Sequence, residues 1–209
     1  MRRAEFEVQG QKLINDFLKE QPYGVLGTTG EDGYPRLTPI MYIHVPEQNA
    51  VYFHSSRKGE KVEQLKRCPK ASFNVSEMHA LIPSHFVDPV FACPATTFFR
   101  SVHIKGTMSI VNDPVEKTTF FTAFMEKLQP EGGYEPFDWT MSGYAKQESA
   151  LFIYKLNIED LTAKFKFGQN LPEKKHQMVK QGLTNRQAPG DAETIAWMEK
   201  LDLRRCPFS

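Results

Sequence analysis

Between residues 54 and 61 the chain reads HSSRKGEK: one histidine, two serines and the cations Arg57, Lys58 and Lys61, set around Gly59. Val51, Tyr52 and Phe53 before it have strand character, and Val62 and Leu65 after it mark a short helix that ends before Pro69. A phosphate monoester carries close to two negative charges and several strong acceptor oxygens. A strand–helix junction can hold such a group with cations, hydroxyls and the N–H groups of a helix start, and this stretch supplies all three. A solvated turn would have the same composition, so the stretch alone leaves both readings open.

Other constellations are weaker. His79, His85 and Cys93 are spaced by six and eight residues on a segment interrupted by prolines, which matches no established metal site. His44, His54 and His103 could be imagined as haem ligands, although a structural histidine is the commoner role. No Ser-His-Asp or activated-cysteine arrangement is legible, and neither a GxGxxG fingerprint nor a Walker loop is present.

The chain that must position these residues has 209 residues, 40% hydrophobic and 24% charged, with a formal net charge of +1. That length suits one domain with a proper core and an appendage. The near-zero charge gives no global field for nucleic acid, so any anion site must be local. No apolar run approaches the roughly 20 residues that span a bilayer. Met1-Arg2-Arg3 has no apolar stretch behind it, unlike a signal peptide, and the three cysteines, Cys68, Cys93 and Cys206, are far apart. A reduced, cytoplasmic protein is the expectation.

Apolar spacing predicts a helix within 7–20 and a strand at 23–29, followed by a turn at 30–33. The next segment, YPRLTPIMYIH, alternates as a strand, and Pro39 within it requires an edge or a bulge because proline cannot donate to a ladder. Strands follow at 51–53, 70–76, 96–111 and 150–167. Residues 78–95 are expected to be irregular, and Asp113-Pro114 opens a helix to about Leu128 with Asp113 as N-cap. Beyond lies a polar tail punctuated by Pro172 and Pro189, its last segment, 191–203, amphipathic. Meander connections of this kind predict a mainly β architecture, a six-stranded barrel with peripheral helices.

Taken together, YFHSSRKGEK, YPRLTPIMYIH before it and FFRSVHIKG after it resemble the FMN-binding split-barrel superfamily of pyridoxamine 5′-phosphate oxidase, nearest the branch of the nitroimidazole-resistance proteins. The segment KFKFGQNL at 164–171 is similar to one near the C-terminus of flavin-binding relatives. The resemblance covers about residues 5–165. It implies an FMN-binding split-barrel domain over 1–165 and a helical extension over 166–209, packing on the barrel or on a dimer partner.

The resemblance further implies that Arg57 and Lys58 hold the FMN phosphate with His54, Ser55 and Lys61 beside them. Leu37, Thr38, Pro39 and Ile40 would lie along the isoalloxazine and ribityl chain. In the superfamily the flavin sits at a two-fold interface, so Arg100 and Ser101 would come from the partner of a homodimer. Ser101 stands where the oxidase has a glutamine that contacts the flavin. The oxidase's C-terminal Arg and His motif is not evident, which argues against pyridoxamine phosphate as substrate. The implied function is two-electron redox chemistry on a small substrate, a nitroaromatic or quinone, with NADH or NADPH as donor. No nucleic acid and no membrane enter it. The rival reading is a flavin sensor, carrier or regulator without turnover.

Overall fold

The computed structural model describes residues 3–202, so Cys206 and the end of the amphipathic segment at 203 lie outside the described residues. Seven strands form one sheet: β1 (Tyr23–Thr29), β2 (Pro35–Met41), β3 (Ile43–Val45), β4 (Ala50–Ser56), β5 (Lys70–Ile82), β6 (Thr96–Ile110) and β7 (Leu151–Lys166), in the order β2-β1-β5-β6-β7-β4-β3. β1 pairs antiparallel with β2 and β5, and β4 pairs antiparallel with β3 and β7. Six helices accompany them: α1 (Gln11–Glu20), α2 (Glu60–Arg67), α3 (Pro114–Leu128), α4 (Ser142–Ala150), α5 (Glu173–Arg186) and α6 (Asp191–Lys200). Among the described residues no helix is long and apolar enough to cross a membrane.

The sheet has seven strands where six were expected, and the ladder is not closed. The reason is Tyr42, which divides YPRLTPIMYIH into β2 and β3. Its ring is fully buried against Phe73 at 4.9 Å, and its hydroxyl donates to the Leu18 carbonyl at 2.7 Å. That anchor turns the chain out of the β2 ladder. β2 and β3 nevertheless stand at opposite ends of the strand order, one residue apart in sequence, and β2 also comes against β4. A sheet whose two edges are joined by one residue must curl round on itself. Pro39 lies on the edge strand, where its missing N–H costs no ladder bond.

The chain divides into two compact units, and β5, β6 and β7 contribute residues to both. One comprises Gly10–Val75 and His103–Leu161 and carries the HSSRKGEK stretch. Its core is built from Phe17, Leu18, Leu26, Tyr42, Phe53 and Phe73, each at most 1% exposed. β4 is buried on both faces, which is why AVYF is an unbroken apolar run. Phe53 meets Phe73, while Ala50 and Tyr52 join Phe120 and Phe124 of α3 on the other side. Asp113 caps α3 as expected, accepting from the Glu116 N–H at 2.9 Å.

The other unit comprises the described residues of Met1–Gln9, Ser76–Val102 and Thr162–Ser209. Residues 78–82, expected to be irregular, continue β5 as far as Ile82, because the alternation of Ala80 and Ile82 inward runs up to Pro83. Phe98, Phe165, Phe167, Val179 and Leu183 form its core, closed by α5 and α6.

His44 on β3 gives this fold a pH signature. Burial pushes its pKa down to about 4, with Lys127 adding to the depression and Glu47 opposing it. The Lys127 amine lies 4.2 Å from the Tyr42 ring centroid and is itself pushed down to about 8 by burial. The folded chain refuses a proton that the unfolded chain accepts below about pH 6.5, so stability falls as pH drops from there toward 4. About 2.5 pH units at 1.36 kcal/mol each bounds the loss at about 3 kcal/mol. Urea denaturation at pH 7 and pH 4.5 is expected to show the loss in the wild type and a smaller one in His44→Gln. Equal losses in the two proteins would exclude His44 as the source.

Candidate functional site

β4 ends at Ser56, and Arg57, Lys58 and Gly59 carry the chain into α2. Gly59 has φ 128° and ψ 164°, a backbone region that side-chain-bearing residues avoid, so glycine is required for this turn. The Ser56 hydroxyl accepts from the Lys58 N–H at 3.2 Å, and the Val62 N–H bonds to the Gly59 carbonyl at 3.1 Å. The turn faces β2, and between them lies a cavity of about 420 Å³. Leu37, Thr38, Ser55, Lys58 and Lys61 all line it, together with Ser56 and Gly59. Partial burial lowers the pKa of Lys61, the signature of a cation held away from bulk water.

Four further residues line the cavity and were not foreseen there: Arg36, Glu60, Val62 and Gln64. Arg36 donates to Asp32 and to Glu60, each at 2.9 Å, and Gln64 donates to Glu60 at 2.7 Å. The Gln64 carbonyl in turn accepts from the Thr28 hydroxyl at 2.5 Å, both side chains being buried. This network offsets the one carboxylate that would otherwise repel an anion here. The signal available in sequence was the one-turn spacing of Glu60 and Gln64 on α2, which puts both on the face toward the turn.

The remaining expected site residues are placed elsewhere. Pro39 and Ile40 continue along β2, opposite Val25 and Gly24, and do not line the cavity. His54 points to α3, with its ring 4.8 Å from that of Phe124 and within 6.2 Å of Phe120 and Phe121. Burial, reinforced by Lys61, depresses its pKa. Arg57 turns toward β7: Nε donates to the Leu151 carbonyl at 3.0 Å and Nη2 to that of Glu148 at 3.3 Å, with the guanidinium 4.7 Å from the Phe152 ring centroid. Its geometry is that of a residue fixing the turn.

Arg100 and Ser101 belong to the other unit. Arg100 is 3% exposed, donates twice to Glu77 at 2.9 and 2.6 Å, and stacks on Trp197 at 4.9 Å.

On the outward face of β1 and β2, Tyr23, Val25, Leu37 and Pro39 lie along one side through the pairings Val25–Pro39 and Gly27–Leu37, while Met41, opposite Tyr23, packs against the cluster of Tyr52 and Phe120. Leu37 is 70% exposed and Tyr23 57%. An apolar face of this kind beside a cationic turn suits a ligand with a flat apolar body and a charged tail.

Several solved structures share the fold. A candidate 5-nitroimidazole antibiotic resistance protein of Bacteroides thetaiotaomicron aligns over 76% of this chain and 85% of its own, at 20% identity and a TM-score of 0.58. The flavocytochrome Anf3 of Azotobacter vinelandii aligns over 79% of this chain and 72% of its own, at 21% identity and 0.65. An FAD and heme binding protein of Mycobacterium smegmatis aligns over 77% and 73%, at 16% identity and 0.63. None of the curated proteins matches the sequence. The family model described as pyridoxamine 5′-phosphate oxidase matches residues 11–165, a span that takes in both faces of the cavity. With that match over most of its length, the chain belongs to the pyridoxamine 5′-phosphate oxidase family.

Proposed function

We propose that this chain binds FMN and works as an oxidoreductase on a small nitroaromatic or quinone substrate. The observation that carries the reading is the cradle at the β4–α2 turn, where Lys58, Lys61, Ser55 and Ser56 face one cavity at the start of a helix. Family membership and the names of two neighbours, a flavocytochrome and an FAD and heme binding protein, support a flavin as the ligand. In this reading the curled sheet is a split barrel, with seven strands where the simplest form has six.

Lys58 and Lys61 would neutralise the phosphate, the two hydroxyls would complete its hydrogen bonds, and Arg57 would keep the turn in shape. β2 stands at one end of the strand order, so the peptide groups of alternate residues on its outer edge, Leu37 among them, would be available to the polar rim of the ring, with Thr38 and Ile40 beside it. Pro39 would add an apolar surface without competing as a donor. When bound, FMN supplies two-electron transfer, and the protein holds it, orients the substrate and excludes water. The outward apolar face of β1 and β2 would be covered by a second copy of the chain, so we read the working form as a homodimer.

The test is spectroscopic. The purified protein is expected to show flavin absorbance, or to acquire it stoichiometrically with added FMN. Stopped-flow absorbance with NADH or NADPH should then show loss of that band faster than for free FMN, and its return on adding a nitroimidazole or quinone. Stoichiometric binding with no acceleration by either nicotinamide would replace the enzyme reading by that of a flavin sensor or carrier. A Soret band in place of the flavin bands would overturn the FMN assignment itself.

A further inference from the structure

The unit formed by the chain's ends and residues 76–102 holds a cavity of about 690 Å³ whose lining is unlike that of the flavin cradle. Arg3, Lys164, Lys166 and Lys175 all line it, and no aspartate or glutamate does. In a chain of net charge +1 that is a strong local excess. The pleat of β7 explains how two of the cations arrive together. Side chains alternate along a strand, so Phe165 and Phe167 enter the core while Lys164 and Lys166 share the opposite face.

Lys164 and Lys166 are both half-buried. The Lys166 amine donates to the Thr96 hydroxyl, and that of Lys164 lies 5.3 Å from the Phe99 ring centroid and 5.6 Å from that of Phe6. Desolvation, then the charges of Lys164 and Arg3, depress the pKa of Lys166. Like charges on adjacent same-face positions are destabilising unless something neutralises them. Lys175, in the first turn of α5, also acts on the Asp88 carboxylate, which it stabilises in its charged form. The rest of the wall is largely apolar, broken by Thr96 and Asn170, with Phe99 and Leu171 partly exposed.

We propose that this cavity is a second ligand site, specific for an aromatic phosphate monoester, with its dianionic head among Lys164, Lys166 and Lys175 and its ring against Phe99 and Leu171. Four cations on a wall whose lining holds no acid, one of them, Lys175, also facing Asp88, match a dianion better than a single charge. The volume lies within the range of small-molecule sites. The site stands apart in composition from the turn at Lys58 and Lys61, and it does not depend on whether that turn binds FMN.

Calorimetric titration of the full chain with 1-naphthyl phosphate tests it, with flavin absorbance followed throughout. Binding is expected to be at least tenfold tighter than for inorganic phosphate or 1-naphthol, without release of any bound flavin. Lys164→Gln/Lys166→Gln should weaken it at least tenfold, whereas Lys164→Arg/Lys166→Arg, which keeps both charges and controls for folding, should retain most of it. Lys58→Gln/Lys61→Gln should leave it unchanged. Equal binding to wild type and Lys164→Gln/Lys166→Gln would overturn the site, and so would loss of binding in Lys58→Gln/Lys61→Gln. Affinity for inorganic phosphate equal to that for the naphthyl ester would overturn the aromatic half of the assignment.

Discussion

Replacing Lys58 and Lys61 together by glutamine is expected to weaken FMN binding by about 100- to 10,000-fold while leaving riboflavin binding nearly unchanged. Both amines line the cavity at the β4–α2 turn, and each charge-assisted hydrogen bond to a phosphate is worth about 1.5–3 kcal/mol net. Two such bonds give about 3–6 kcal/mol, which converts to the stated range. The lower end is favoured for Lys61, because partial burial already penalises its charge and the substitution removes that penalty too. Arg57→Ala should behave differently. It removes two bonds to the carbonyls of Leu151 and Glu148 and a ring contact with Phe152, so its expected effect is on the stability of the turn and on both flavins alike. Fluorescence titration with FMN and riboflavin separates the cases. Equal losses for the two ligands in the lysine variant would show that the pair supports folding or the ring, and the phosphate assignment would fail.

The turn itself was readable in the sequence because its determinants are local. An apolar run buried on both faces must stop where polar residues begin, and one glycine in a cation-rich segment marks the bend. Pro39 confined its segment to an edge or a bulge for the same reason, a missing donor being a property of one residue, and β2 is an edge strand. Asp113 likewise announced its helix by caps that reach only three residues.

The partners of the cations were not readable, because they are distant. Arg57 takes its acceptors from residues 91 and 94 positions away. Nothing in HSSRKGEK distinguishes it from Lys58, whose side chain faces the cavity. Tyr42 continues the alternation of its segment, and only its hydrogen bond to Leu18 reveals that the strand is divided there. β5 runs to Ile82, beyond the expected end, because Pro83 acts only on its immediate neighbours and leaves the ladder before it intact. Arg100 carried the right residue type for a flavin contact. Its acidic partner lies on β5, and sequence spacing cannot show which strands become neighbours.

That buried arginine sets the second large effect. Glu77→Gln is expected to destabilise the protein by about 3 kcal/mol, since removing one partner of a buried ion pair typically costs about 3–5 kcal/mol and Glu77 keeps some contact with water. Glu77 Oε2 accepts both Arg100 bonds and lies 3.0 Å from His79 Nε2, while the Arg100 and His79 side chains are only 4% and 3% exposed. The variant keeps the shape of residue 77 and loses its charge, while the guanidinium keeps its ring contacts with Trp197 and Phe165. Arg100→Met should cost a similar amount, because it strips Glu77 and the Trp197 face together. If the two act as a unit, the double variant will cost less than the sum by about 1.5 kcal/mol or more. Urea denaturation of the four proteins closes this cycle, and strict additivity would show that the pair is not coupled. FMN affinity measured on the same set decides a further point. An Arg100 that serves its own unit should change FMN affinity no more than Glu77→Gln does, whereas a larger drop confined to Arg100→Met would return it to the flavin site as a contact from a partner subunit.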